Sequence, residues 1–193
     1  VVRYVALGDS FTIGTGSTPQ ESFPARLADT RKSPTCELRV RNLGVNGYAS
    51  KRLIAEKLPV LATEGADFVT LAIGANDIVQ GASAETYRSN VKIILKAVGT
   101  TRLVSIPQPA WWRSPAAQGF GSPDELRQKI ALFNGILAEE VRAAGGTHVD
   151  LDPLMAAQAE RGELAPDALH PSAQAYAAWA AALATSTKNP CAP

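Results

Sequence analysis

Four short segments hold the residue types needed for acyl transfer. Gly8-Asp9-Ser10-Phe11-Thr12 offers a hydroxyl, and Asn42-Leu43-Gly44-Val45-Asn46-Gly47 offers backbone amides. Gly74-Ala75-Asn76-Asp77 offers a carboxamide, and Asp167-Ala168-Leu169-His170 offers an imidazole with a carboxylate three residues earlier. A serine hydroxyl is a poor nucleophile until a base takes its proton, and an imidazole that titrates near neutrality suits that task. On this reading Ser10 is the nucleophile, His170 its base, and Asp167 the group that holds the imidazole tautomer. The backbone N–H groups of Ser10 and Gly47 and the Asn76 side-chain amide are candidate donors to an oxyanion.

Such residues work only if the fold gathers them. Apolar runs of strand length cover Val1–Leu7, Glu37–Leu43, Phe68–Ile73, Leu103–Ile106 and Thr147–Leu151. Helical spacing falls between them: around Phe23 to Ala28, over Ala49–Ala62 with Pro59 as a bend or break, and over Ala84–Val98. The best-marked helix starts at Ser122, with Pro123 in its first turn and Glu125 completing a capping box. Leu126, Ile130, Phe133, Leu137 and Val141 follow on one face, and Gly145-Gly146 closes it. Pro171 opens a last, Ala-rich helix carrying Tyr176 and Trp179. Strands alternating with helices predict parallel pairing with right-handed crossovers, hence one three-layer α/β sandwich over residues 1–186 and a tail over 187–193. In such sheets ligands bind at the carboxyl ends of the strands, which is where the first three segments fall, with the fourth on the same rim.

Four blocks in this order resemble the SGNH/GDSL hydrolase family of esterases and lipases. The blocks that carry the resemblance are Gly8-Asp9-Ser10, Asn42-x-Gly44-x-x-Gly47, Gly74-x-Asn76-Asp77 and Asp167-x-x-His170. Each is weak alone; the ordered set, spanning residues 8 to 170, is specific. The resemblance implies a flavodoxin-like fold with a five-stranded parallel sheet in the order 2-1-3-4-5. It also implies a Ser10–His170–Asp167 triad, and an oxyanion hole from Ser10, Gly47 and Asn76. The family spans carboxylesterases, lipases, thioesterases and carbohydrate deacetylases, so a small-molecule, lipid or carbohydrate ester is the expected substrate. Short to medium acyl chains are favoured here, because no room is left for a lid domain. The long segment Pro107–Gly121 carries Trp111 and Trp112, which in an extended stretch would point opposite ways, one packing under the loop and one facing substrate.

Other positions read as structural. Asp9 bonds backbone amides, Asn42 makes a turn, Gly44 serves backbone geometry, Asp77 orients its loop, and His148 sits inside a strand. Asp150 and Asp152 alternate with no further ligands, so no metal and no cofactor is expected. Two histidines and two cysteines without a Cys-x-x-Cys leave almost no four-ligand zinc site. A formal charge of +1 across 193 residues argues against a nucleic-acid partner, and no apolar run reaches the length of a membrane span. Hydrophobic residues at 46% and charged residues at 19% support a packed core, with a monomer favoured.

Cys36 lies just before the second strand and Cys191 after the last helix. Both should emerge at the rim opposite the site, so a disulfide is expected. It would place the protein outside the cytoplasm after loss of a leader. Without it, the cytoplasm is the default. No signal peptide is visible, and the first residue is not Met.

Two readings without catalysis compete. Thr12-Ile13-Gly14-Thr15 faintly resembles a flavodoxin phosphate loop, which would make the chain a ligand-binding module, and Gly14-x-Gly16 resembles a dinucleotide turn. The first lacks a glycine at Ile13 and the second has Pro19 where a third glycine belongs. Neither gives Asn76 or His170 a task. An idle adhesion or scaffold domain would usually have lost a member of the set.

Overall fold

The computed structural model describes residues 1–191. Five parallel strands form one sheet: β1 (Val2–Gly8), β2 (Leu38–Asn42), β3 (Phe68–Ala72), β4 (Arg102–Ser105) and β5 (Thr147–His148). Their order is β2-β1-β3-β4-β5, as expected for a doubly wound sheet that reverses direction beside β1. The central strands are buried on both faces, which is why β1 and β3 read as unbroken apolar runs.

Nine α-helical segments join the strands among the described residues: α1 (Ser10–Ile13), α2 (Phe23–Arg31), α3 (Ser50–Glu56), α4 (Leu58–Glu64), α5 (Ala75–Val79), α6 (Ala84–Val98), α7 (Pro123–Ala143), α8 (Asp152–Glu160) and α9 (Ala173–Ser186). In α7 the expected stripe of Leu126, Ile130, Phe133, Leu137 and Val141 is buried, and the Ser122–Glu125 capping box forms. Phe133 stacks on Tyr87 of α6, with ring centroids 4.5 Å apart. On the opposite layer α9 packs on α2, with Trp179 against Phe23. The Arg31 guanidinium donates to the carbonyls of Leu183 and Thr187 at the C-terminal end of α9, complementing the negative end of that helix.

Several elements depart from the expectation. The single helix expected over Ala49–Ala62 is two, because Pro59 removes an N–H that a continuous helix needs; the chain restarts with Pro59 in the first turn of α4. The fifth strand is only two residues long, since beyond His148 the backbone leaves the ladder toward α8. α8 itself has no counterpart among the expected elements; only Met155 and Gln158 are buried on it, too few to mark a helical stripe. The segment expected as a loop after β1 begins with the short helix α1.

Cys36 and Cys191 are disulfide-bonded, with Cα atoms 5.7 Å apart. The bond joins the chain just before β2 to the chain after α9, as the topology requires. Of the expected tail over 187–193, Ala192 and Pro193 lie outside the described residues.

Candidate active site

Ser10 opens α1 directly above the end of β1. Asp9 caps that helix: its Oδ1 accepts the Phe11 N–H at 3.0 Å. Asp9 is almost wholly buried, and burial pushes its carboxyl up to about 7, against the pull of the Phe11 N–H; the nearby Asp77 charge raises it further. The second block is fastened to the first through Asn42, whose Nδ2 donates to Thr12 O at 2.8 Å while its Oδ1 accepts the Gly44 N–H at 3.0 Å. Asn42 therefore has the turn-making role the sequence suggested.

Gly47 stands at φ +78°, a left-handed conformation that favours glycine, and a Cβ built there would meet nothing within 4 Å. The position faces open space. Its carbonyl accepts from Gln80 Nε2 at 3.1 Å, so the loop is anchored while its amide is left without a partner among the described residues. Asn76, in the first turn of α5, donates one Nδ2 hydrogen to Tyr48 O at 3.1 Å. That bond fixes the amide orientation and leaves its second hydrogen available. Asp77 is buried and accepts from the Ser50 N–H at 2.9 Å and from the Ser50 hydroxyl, which in turn accepts from Asn90. Asp77 thus clamps the start of α3 to α5 and α6, the orienting role expected of it.

The fourth block is a tight loop before α9. His170 Nδ1 lies 2.6 Å from Asp167 Oδ2. Asp167 Oδ1 accepts the backbone N–H groups of Leu169 and His170 at 3.0 and 2.9 Å. Burial tends to raise the Asp167 carboxyl, but these N–H donors and the imidazole outweigh it and hold the group below its usual range. Ala168 sits at φ +57°, the left-handed conformation, which lets the loop fold back on Asp167.

This loop is brought to Ser10 by close packing. The His170 ring lies 5.4 Å from the ring of Phe11. A Cβ on Gly16 would stand 2.5 Å from Ala165 Cβ and 3.2 Å from His170 Cβ, so only glycine permits the two loops to meet. Tyr176 of α9 donates to Thr15 O at 2.9 Å and completes the joint. Ser10 and His170 share no direct hydrogen bond, a looseness common before substrate arrives.

Trp111 and Trp112 do not lie in an extended stretch. They form a 3₁₀ turn, Trp111–Arg113, which still sends the two indoles different ways. Trp111 is buried, donating from Nε1 to Gln108 Oε1 at 2.8 Å, and packs edge-on against Phe120. Trp112 is half-buried under the Arg113 guanidinium, whose carbon lies 4.4 Å from the ring centroid. Trp111, Leu169, Pro171, Met155 and Trp179 wall a mainly apolar cavity of about 30 Å³, which neither Ser10 nor His170 lines. That is room for a very small group, since one water needs roughly 10–15 Å³ on this measure. No local sequence pattern marks Gln108, Asn134 or Phe11 as site-shaping residues. Asn134 grips the backbone of Gln108 through two hydrogen bonds of 3.0 and 3.1 Å, a contact no local pattern announces.

His148 lies away from this group. Its Nδ1 is 2.8 Å from Ser105 Oγ, and burial, then the Arg142 charge, lower its imidazole to about 4 against the opposing Asp150 charge. Asp150 accepts the Asp152 N–H at 3.0 Å. Among the described residues no three His, Cys, Asp or Glu side chains gather as a metal site, and no helix is long and apolar enough to cross a membrane.

Comparison with known proteins bears on this arrangement. No curated protein matches the chain. Among solved structures, a lipase/acylhydrolase from Enterococcus faecalis superposes with a TM-score of 0.80 at 20% identity, covering 96% of this chain and 94% of that one. An acetylxylan esterase from Geobacillus stearothermophilus superposes with 0.75 at 16% identity, covering 94% and 92%. An extracellular lipase from Streptomyces rimosus superposes with 0.72 at 18% identity, covering 97% and 100%. At these identities the likeness is one of fold. The family model described as GDSL-like lipase/acylhydrolase matches residues 6–178, nearly the whole chain, and the protein therefore belongs to that family of ester-cleaving hydrolases.

Proposed function

We propose that the protein is a serine esterase that cleaves carboxylic esters of short to medium acyl chains through an acyl-enzyme. The observation that carries this reading is the His170–Asp167 pair at 2.6 Å, with its imidazole packed on the residue next to Ser10. In the proposed reaction His170 Nε2 takes the Ser10 proton as Oγ attacks the ester carbonyl. Asp167 holds Nδ1–H and stabilises the imidazolium. The amides of Ser10 and Gly47 and the free Asn76 Nδ2–H receive the oxyanion. The imidazolium then protonates the departing alcohol, and a water, deprotonated by His170, releases the acid. The Cys36–Cys191 bond supports an oxidising, extracytoplasmic compartment.

The test is active-site labelling. A serine-reactive phosphonate should add to the native protein at Ser10, read by peptide mass, and fail to add to Ser10→Ala. p-Nitrophenyl acetate to butyrate should be turned over well by the native protein and palmitate poorly. Equal labelling of the Ser10→Ala protein removes the assignment.

A further inference from the structure

The sequence holds two Asn-Gly pairs, Asn46-Gly47 and Asn134-Gly135. Such a pair carries a chemistry of its own. The backbone nitrogen of the glycine can attack the side-chain carbonyl carbon of the asparagine, because no side chain on the glycine obstructs it. A bond forms from the glycine nitrogen to the asparagine Cγ, and the Cγ–Nδ2 bond breaks. The side-chain nitrogen leaves as ammonia, taking the proton that the backbone amide gives up. The five-membered succinimide then takes up water. Opening at one carbonyl yields aspartate. Opening at the other yields isoaspartate, in which the main chain runs through the side-chain carbon.

The fold treats the two pairs differently. Asn134 is buried; its Oδ1 accepts the Gln108 N–H and its Nδ2 donates to Gln108 O. Gly135 lies within α7, where its N–H belongs to the helix ladder. Both reacting groups are therefore committed elsewhere. Asn46 and Gly47, in contrast, are exposed. The Gly47 N–H has no acceptor among the described residues, and nothing stands within 4 Å of the place a Cβ would take. Their turn is fastened at its ends, by Tyr48 N–H to Val45 O at 3.2 Å and by Gln80 Nε2 to Gly47 O at 3.1 Å. The Thr15 hydroxyl donates to Asn46 Oδ1. That oxygen gains negative charge as the ring closes, so the hydroxyl stands where it favours the step.

We infer that Asn46-Gly47 is a self-modification site, at which conversion of Asn46 to aspartate and isoaspartate through a succinimide disables the oxyanion hole. The disabling rests on the esterase reading, in which the same Gly47 N–H receives the oxyanion. While the succinimide stands, the Gly47 nitrogen carries no hydrogen. Aspartate restores the N–H but sets a carboxylate beside the developing negative charge. Isoaspartate adds a backbone atom ahead of Gly47 and moves its N–H out of line. Losing one such donor lowers kcat roughly a hundred- to a thousand-fold, so each converted molecule is close to silent.

Mass spectrometry tests the modification without any assay of catalysis. The native protein is incubated in warm, mildly alkaline buffer and cut with trypsin, which places the two pairs in separate peptides, 42–51 and 130–142. The first should show the mass change from amide to acid and accept methyl groups from an isoaspartate methyltransferase; the second should not. Conversion introduced by digestion would strike both peptides alike. Ser10→Ala should convert at the native rate, since the triad takes no part. Thr15→Val should convert several-fold more slowly, having lost the hydroxyl donor. In the native protein kcat for p-nitrophenyl acetate should fall in step with conversion at unchanged KM. Asn46→Gln, which could close only a six-membered ring, should keep its starting activity over the same time. Asn46 left intact while a synthetic 42–51 peptide converts, or equal conversion of both pairs, overturns the site. A Thr15→Val rate equal to the native one overturns the part given to Thr15. Conversion without loss of activity, or equal loss in Asn46→Gln, overturns the effect on the oxyanion hole. Failure of the fresh protein to cleave p-nitrophenyl acetate or take the phosphonate would instead overturn the esterase reading and leave the mass result standing.

Discussion

Replacing Asp9 with asparagine is expected to make the protein more stable at alkaline pH and to flatten its pH dependence. In the native fold the Asp9 carboxyl is 1% exposed and is raised from 3.8 to about 7, chiefly by burial. In the unfolded chain it ionises near its ordinary value. Below about pH 4 both states hold the proton and the group costs nothing. As pH rises from there to about 7, the unfolded state has lost a proton that the folded state keeps, so stability falls by about 1.4 kcal/mol per pH unit. The full penalty, about three pH units, is on the order of 4 kcal/mol and is complete once pH exceeds the folded value. Asparagine retains Oδ1, the atom that caps Phe11, and has no proton to lose. Its fixed cost of burying an amide N–H₂ is the same at every pH. Urea unfolding of both proteins from about pH 4 to 8 should therefore show the variant gaining on the native protein by several kcal/mol across that window. Curves that stay parallel would refute the claim that Asp9 is held protonated by burial.

Asn76→Ala should lower kcat by roughly a hundred- to a thousand-fold with little change in KM, because the free amide hydrogen is asked to act only on the oxyanion; steady-state kinetics in which KM alone changes would remove Asn76 from that role. The Cys36–Cys191 bond spans a sequence separation of 155, which by chain entropy is worth on the order of 5 kcal/mol. Thermal melts with and without reductant, and of the Cys36→Ser/Cys191→Ser protein, should show a clear drop in Tm, and coincident melts would show that the bond adds nothing.

What could be read from the sequence followed the strength of local signals. The sheet and its strand ends were legible because buried parallel strands are unbroken apolar runs, and α7 because Ser122, Pro123 and Glu125 mark its start without tertiary help. Three of the four blocks were legible because each sits where a strand stops, and the fourth because its Asp-x-x-His spacing lies just before the last helix. α8 was not, since its buried residues do not make a stripe, although Asp152-Pro153 at its start and Gly162 beyond its end are helix-boundary signals that pointed to it. The geometry of the Trp111–Arg113 turn was not legible, because the Gln108 amide that holds Trp111 is itself clasped by Asn134 of α7, 26 residues away in sequence.

The uneven lengths of the outer strands bear on pairing at the borders of the sheet. A parallel sheet ends in two unpaired backbones, and each is a template on which another chain could build. Here β5 offers two residues, too short a ladder to hold a guest strand. The other border, β2, carries the exposed side chains Arg39 and Arg41 on alternate positions; Arg41 pairs with Glu64 at 3.3 Å, and Arg39 is the charge that a strand laid along this border would have to face. Brevity guards one side and charge the other.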